Sequence, residues 1–283
     1  MTDVNLPAEE KVRRYAEKVA ERSSQDEAET EPPRPTARFP AGFWKSVDYL
    51  IHHQEEIIES LRRDSDLWQL SRVLFLVSVI MAGLYGAVMG ATNLLQGTDM
   101  ELNSKLLLIV VTAIKVPVLF LLTLAIVLPP VYVSNAFVGA RLSFRQMLAL
   151  LLASVAIMVT ILASMATVAF FFALTSRSYH FIKLLHVLIF AYAGLTGLSY
   201  LVKSLHAISP PIERRKPGLP PIRSTPQWLF VGWLLLYMFV GTQLAWVLRP
   251  FVGSPTEKFQ LFRPREGNFY ESVFDSLDQL TRD

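Results

Sequence analysis

The sequence predicts an all-α protein, a polytopic membrane helix bundle of about five transmembrane helices preceded by a cytoplasmic amphipathic helix. Five apolar runs, 67–91, 106–128, 144–174, 181–201 and 228–248, contain no aspartate or glutamate. Each supplies the roughly 20 helical residues needed to cross a hydrocarbon core of about 30 Å. Between Leu67 and Val252 the acidic residues are Asp99, Glu101 and Glu213 alone, all in connections. The 283 residues are also 52% hydrophobic, with a mean hydropathy of +0.37, outside the range of ordinary soluble domains.

Charge follows the same division. Residues 1–66 hold 10 Lys/Arg against 15 Asp/Glu, residues 67–252 hold 13 against 3, and residues 253–283 hold 4 against 6. The basic balance therefore sits in loops flanking the membrane, as in polytopic proteins, and is not a nucleic-acid-binding face. The chain has no cysteine, which excludes disulfides, zinc–thiolate sites and cysteine nucleophiles.

Taken in order, residues 1–40 read as a cytoplasmic, disordered or weakly helical region. Positions 23–40 are acidic and proline-containing with almost nothing to bury, the composition of a linker. No signal peptide is read here, so the first membrane signal is expected at 67–91. Residues 41–66 read as an amphipathic interfacial helix. Phe43, Trp44, Val47, Leu50, Ile51, Ile57, Ile58 and Leu61 recur at spacings of three and four, with Gln54 in the one gap. Such a helix lies along the membrane surface, on the cytoplasmic ends of the spans, or against a partner. Its acidic opposite face, with Glu55, Glu56 and Glu59, argues against simple adsorption to anionic lipid. Phe43, Trp44, Val47, Leu50, Ile51 and Ile58 are its expected membrane or partner contacts. The adjacent His52 and His53 diverge by about 100° on a helix and cannot chelate one ion.

Residues 67–252 form the five-helix bundle. In the second run Pro129 and Pro130 remove two donors, so the regular helix is expected to end or kink there, leaving 131–140 as an interfacial or packed piece. The third run, about 31 residues, is too long to stand upright and must tilt or project. Small residues, such as Gly83, Gly86 and Gly90 in the first run and Ala193, Gly194 and Gly197 in the fourth, mark close helix contacts. Arg62, Arg63 and Arg72 lie where the chain enters the first run, Arg141 and Arg145 in the second connection, Arg177 and Lys183 in the third, and Lys203, Arg214, Arg215, Lys216 and Arg223 form the most basic cluster in the fourth. The positive-inside rule then places the N-terminus in the cytoplasm and the C-terminus outside. The proline-dense fourth connection, 209–226, reads as a stiff topogenic loop. Residues 253–283 read as an extracytoplasmic, aromatic-rich tail in which Phe262, Phe269 and Tyr270 contact membrane or partner.

Chemistry inside the membrane centres on Lys115, midway along the second run and followed by Pro117. A cation at that depth costs at least about 2.5 kcal/mol. Either it contacts a ligand or ion, with Pro117 freeing a carbonyl one turn earlier, or it bonds within the bundle to groups such as Thr160, Ser164 or Thr167. Glu266 or Glu271 of the tail is a possible carboxylate partner. Lys183 and His186 share a helix face near the outer interface and are candidate ligand or ion contacts, though an interfacial histidine and a snorkelling lysine explain them as well. With His180 they suggest a metal site, but the further ligands it needs are missing locally. GxSxG, HExxH, a phosphate loop and paired intramembrane aspartates are all absent. No enzyme activity, cofactor, metal or nucleic-acid partner is expected.

The polar N-terminal region, five clustered spans and short loops, with Leu84-Tyr85-Gly86 and Gly90 in the first span, resemble the layout of the Yip1 domain family over about residues 67–252. The small, aromatic-rich spans are similar to those of bacterial members, which implies a bacterial inner membrane. The Asp-Leu-Tyr-Gly-Pro type signature of eukaryotic members is not found, so a vesicle-traffic role is not implied. The resemblance implies a non-enzymatic scaffold or accessory subunit that organises membrane protein partners or the bilayer. The alternative is a small transporter or channel subunit, for an anion, using Lys115 and the proline-broken second helix.

Overall fold

The structure, a computed structural model, describes residues 39–40, 42–64, 66–95, 102–137, 142–176, 178–208, 227–249, 251 and 269–282. They all belong to one compact unit, Thr36–Asp283. Every regular element among them is a helix: α1 Phe43–His52, α2 Gln54–Arg63, α3 Leu67–Leu95, α4 Leu102–Phe137, α5 Phe144–Ser164, α6 Ala166–Thr175, α7 Tyr179–Ile208, α8 Gln227–Leu248 and α9 Phe269–Arg282. The readings of residues 1–38, of the connection 209–226 with its Arg214–Lys216 cluster, and of Phe262 and Glu266 lie outside the described residues.

Among the described residues, four segments are long and apolar enough to cross a membrane: Leu67–Thr92, Leu102–Ser134, Phe144–Thr175 and Tyr179–Leu205. Helices suit that medium because each satisfies its own backbone groups without water. The fifth apolar run forms α8, 22 residues long, within which the stretch Leu235–Leu248 is apolar. The first span, α3, is central and packs on α4, α5 and α6; α7 packs on α5, α8 packs on α4, and α9 touches both α7 and α8.

Glycines set the closest approach. Gly83, Gly86 and Gly90 of α3 press directly on α4. A Cβ at Gly86 would lie 2.5 Å from the Thr112 carbonyl oxygen, and one at Gly90 2.7 Å from Ile109 Cα. Gly197 of α7 meets Met158 and Ser154 of α5 in the same way, and the Ser154 hydroxyl donates to the Gly197 carbonyl at 2.7 Å.

Two expectations of local structure are corrected. The second span does not end at Pro129–Pro130: α4 continues through Pro117, Pro129 and Pro130 to Phe137. Proline's fixed φ is itself helical, and the lost donors and the ring's contact with the carbonyl four residues earlier fall on a side of the helix where both rings of the pair are exposed. The carbonyl of Ala113, left without its usual donor by Pro117, lies against Gly83, where a Cβ would come within 3.3 Å of it. Residues 131–137 are therefore the same helix, with Val131 buried. The long third run carries a turn at Met165 between α5 and α6, where the Met165 N–H still donates to the Ile161 carbonyl at 3.1 Å. The amphipathic segment 43–61 is two helices, broken at His53 (φ −113°, ψ 40°).

That break lets both halves bury an apolar arc. Leu50, Ile57 and Leu61 are fully buried, each burial stabilising by about 1.5–3 kcal/mol. The pair rests on the ends of α3, α5 and α7. Ser143 and Gln146 form a capping box at the start of α5, and the Gln146 amide also donates to the Leu61 carbonyl at 2.9 Å. One side chain thus joins the end of α2 to the beginning of α5. His53 stacks on Tyr49 with centroids 4.5 Å apart, whereas His52 Nδ1 lies 3.1 Å from Asp48. Glu59 is buried beside Arg62 and Arg63. Desolvation alone would raise its pKa, but hydrogen bonds and charge from the two guanidiniums outweigh it and hold the carboxyl below its ordinary value.

Candidate functional site

Lys115, Lys183 and Arg249 lie in the part of the bundle where α4 and α7 begin and α8 finishes, whereas Arg72, Arg145 and Lys203 lie near the opposite helix ends. Lys115 is only 6% exposed, and Pro117 beside it is buried as well. One turn before it, the buried Thr112 hydroxyl donates to the Phe251 carbonyl at 3.2 Å, so the chain leaving α8 comes back onto α4 there. Further along, Thr123 meets Gly241 of α8. Lys115 and Arg249 each lie eight residues from that contact toward the same end, roughly 12 Å at 1.5 Å per residue. Their backbone positions are therefore level. Arg249 caps the Trp246 ring, its guanidinium carbon 3.6 Å from the centroid. Of the hydroxyls considered for Lys115, those of Thr160 and Ser164 donate within their own helix, to Ala156 and Ile161, at 2.7 Å each. Thr167 is exposed, as is Glu271.

Lys183 and His186, one turn apart on α7, go to different partners. The Lys183 ammonium donates to the Ser272 carbonyl at 2.8 Å, the Ser272 hydroxyl at 2.6 Å and the Ser276 hydroxyl at 2.8 Å, all on α9. Asp275 and Arg249 are the charges near enough to act on it. His186 faces inward, where its Nδ1 lies 2.7 Å from the Tyr85 hydroxyl of α3, and both rings are buried. Phe190 meets Tyr85 edge-on at 5.5 Å and stacks on Phe120 at 5.8 Å. These aromatics fill the space where α3, α4 and α7 converge. His180 lies edge-on to Tyr179, its neighbour on the same helix. The three nitrogens of 180–186 do not converge, and among the described residues no group of three His, Asp or Glu is placed to hold a metal.

The hydrogen count of the Tyr85–His186 pair fixes its arrangement for a neutral imidazole. If the phenol donates to Nδ1, only the Nε2–H is left over. If Nδ1–H donates to the phenol, both the phenolic hydrogen and the Nε2 lone pair are left over. The first is better satisfied in a buried site. Nε2 has no partner among the described residues.

Of the apolar contacts expected for 41–66, Val47, Leu50 and Ile58 are buried and Phe43 is partly so, whereas Trp44 is 68% and Ile51 48% exposed. Trp68 at the start of α3 is exposed too, with Arg72 over its ring at 5.0 Å. In the tail, Phe269 packs edge-on against Tyr270, and the Tyr270 hydroxyl lies 3.5 Å from that of Thr242. Sequence reasoning passes over two features. The Tyr85 partner of His186 had only a phenol in mid-span as its signal. Ser272 and Ser276 were signalled by two hydroxyls at i, i+4 interrupting the apolar side of an amphipathic helix. Comparison of the chain with protein-family models, with curated proteins and with solved structures gives no match.

Proposed function

We propose that the chain is a five-span membrane scaffold or accessory subunit without enzymatic activity. Its N-terminus lies in the cytoplasm and its C-terminus outside, in a bacterial inner membrane, with α8 as the fifth span. In this reading it shares the Yip1-type layout of a polar N-terminal region ahead of clustered spans. The observation that carries the proposal is the docking of α1 and α2 on the bundle with Trp44 and Ile51 turned outward. A helix fixed by one face, with Trp44 and Ile51 exposed among Lys45, Asp48 and His52 on the other, is a platform for a membrane-protein partner at the cytoplasmic surface. The polar groups of α7 also support it, because Lys183 and His186 are engaged by α9 and by Tyr85.

Reporter fusions test the topology. Fusions after Arg63, Gly97, Arg215 and Asp283 are expected to read inside, outside, inside and outside. The same side for Arg63 and Asp283 would remove α8 from the span count.

The function is tested in native membranes and in liposomes. A photo-crosslinking residue at Trp44 or Ile51 is expected to give a discrete protein adduct, and one at the buried Val47 none. The purified protein is expected to pass no chloride or other small anion. The rival reading, an anion path over Lys115, draws on the level placement of Lys115 and Arg249. Anion flux abolished by Lys115→Met, in a variant that folds normally, would replace the scaffold reading with a transporter.

A further inference from the structure

We infer that α9 is an interfacial helix whose outward apolar edge lies in the headgroup–acyl boundary of the bilayer, latched to the bundle by Lys183. The inference rests on the membrane reading of the spans but not on the scaffold proposal. On a helical wheel the apolar residues of α9 form one arc. Phe269 and Val273, on its inner edge, are partly covered, while Tyr270, Phe274 and Leu277, on its outer edge, are exposed, Phe274 by 70%. The acidic residues Glu271, Asp275 and Asp278 occupy the far side and are exposed as well. A helix covered along one edge, apolar along the next and acidic along the third fits the corner between a protein wall, lipid and water.

Its depth agrees with that setting. Lys183 is four residues into α7, roughly 6 Å from the helix start, where lysines ordinarily snorkel to lipid phosphates. Here Ser272 and Ser276 supply the oxygens instead, so α9 stands where headgroups would. The apolar edge also continues a surface already turned toward lipid. Tyr270 adjoins Thr242, whose hydroxyl donates to the carbonyl of Phe239, itself 58% exposed on α8. Tyrosine is a usual residue of such a boundary. The carboxylates would resist burial in acyl chains, so the helix lies flat and does not insert.

The chain has no cysteine, so single cysteines can be introduced into the full-length protein directly. Bimane is attached in phosphatidylcholine nanodiscs at Phe274→Cys, Leu277→Cys and Gln279→Cys, with Leu195→Cys on the exposed side of α7 as the span control. Doxyl-labelled lipid is expected to quench positions 274, 277 and 195 at least about twofold more than position 279, and aqueous iodide to show the reverse order. Adding Lys183→Met is expected to raise iodide quenching at 274 about twofold as the latch opens. Position 274 quenched by iodide, or shielded from both quenchers as by a second protein surface, would overturn the inference while position 195 still reports lipid. Position 195 unquenched by lipid would overturn the membrane reading with it. No change at 274 on Lys183→Met would overturn the latch.

Discussion

Gly86→Ala is expected to destabilise the protein by about 1–3 kcal/mol, the ordinary range for overpacking a tight contact, and Gly86→Leu to prevent a monodisperse bundle from being recovered. The added Cβ would sit 2.5 Å from the Thr112 carbonyl oxygen and 3.0 Å from Ala113 Cα. Both are backbone atoms, so no rotamer change relieves the clash and α3 and α4 must separate. Separation also loosens Gly83 and Gly90, which share the seam, and in lipid such packing is a main source of helix association. Gly194→Ala is the control. Nothing lies within 4 Å of its Cβ position, so this change is expected to leave stability within about 1 kcal/mol of wild type, on the favourable side, because alanine is the better helix former. Thermal unfolding in one detergent, followed by size-exclusion chromatography, separates the two. Equal shifts for Gly86→Ala and Gly194→Ala would show that the seam does not hold the bundle.

The second large effect concerns Tyr85 and His186. Tyr85→Phe leaves His186 buried with neither nitrogen engaged by a described residue, and His186→Leu leaves a buried phenol. Each is expected to cost about 1–3 kcal/mol, the usual penalty for stranding a buried polar group. The double variant is expected to cost less than the sum, since it removes both halves of the contact. A coupling of about 0.6–1.7 kcal/mol is in line with intramembrane hydrogen bonds measured this way. Additivity within about 0.3 kcal/mol would mean that the 2.7 Å approach contributes nothing. Nitrogen NMR of labelled histidine supplies an independent readout, with the Nε2–H tautomer expected in the wild type and its marker lost in Tyr85→Phe.

The four long apolar helices were legible because a single property, a run of about 20 mostly apolar residues without aspartate or glutamate, is enough to mark them. Gly83, Gly86 and Gly90 were legible as a contact stripe, but their partner was not. Periodicity tells which face of a helix is buried and says nothing of the helix that buries it. Pro129 and Pro130 misled as a stop signal: the lost donors and ring contacts that ordinarily end or kink a helix do not end α4, which runs on to Phe137. The break at His53 had no glycine or proline to announce it and follows from tertiary demand, the burial of Leu50 on one side and Ile57 on the other. Lys183 shows the limit most plainly. Its acceptors, Ser272 and Ser276, lie 89 and 93 residues away in the chain, and no local pattern joins them.

The central place of α3 has a consequence for biogenesis. α3 is synthesised before α4, α5 and α6, the helices that pack on it, so each of them meets a template already made. Order of synthesis and order of assembly coincide, and no later span has to displace an earlier one. The bundle can grow outward from α3, with α8 added to α4 and α9 laid across α7 and α8.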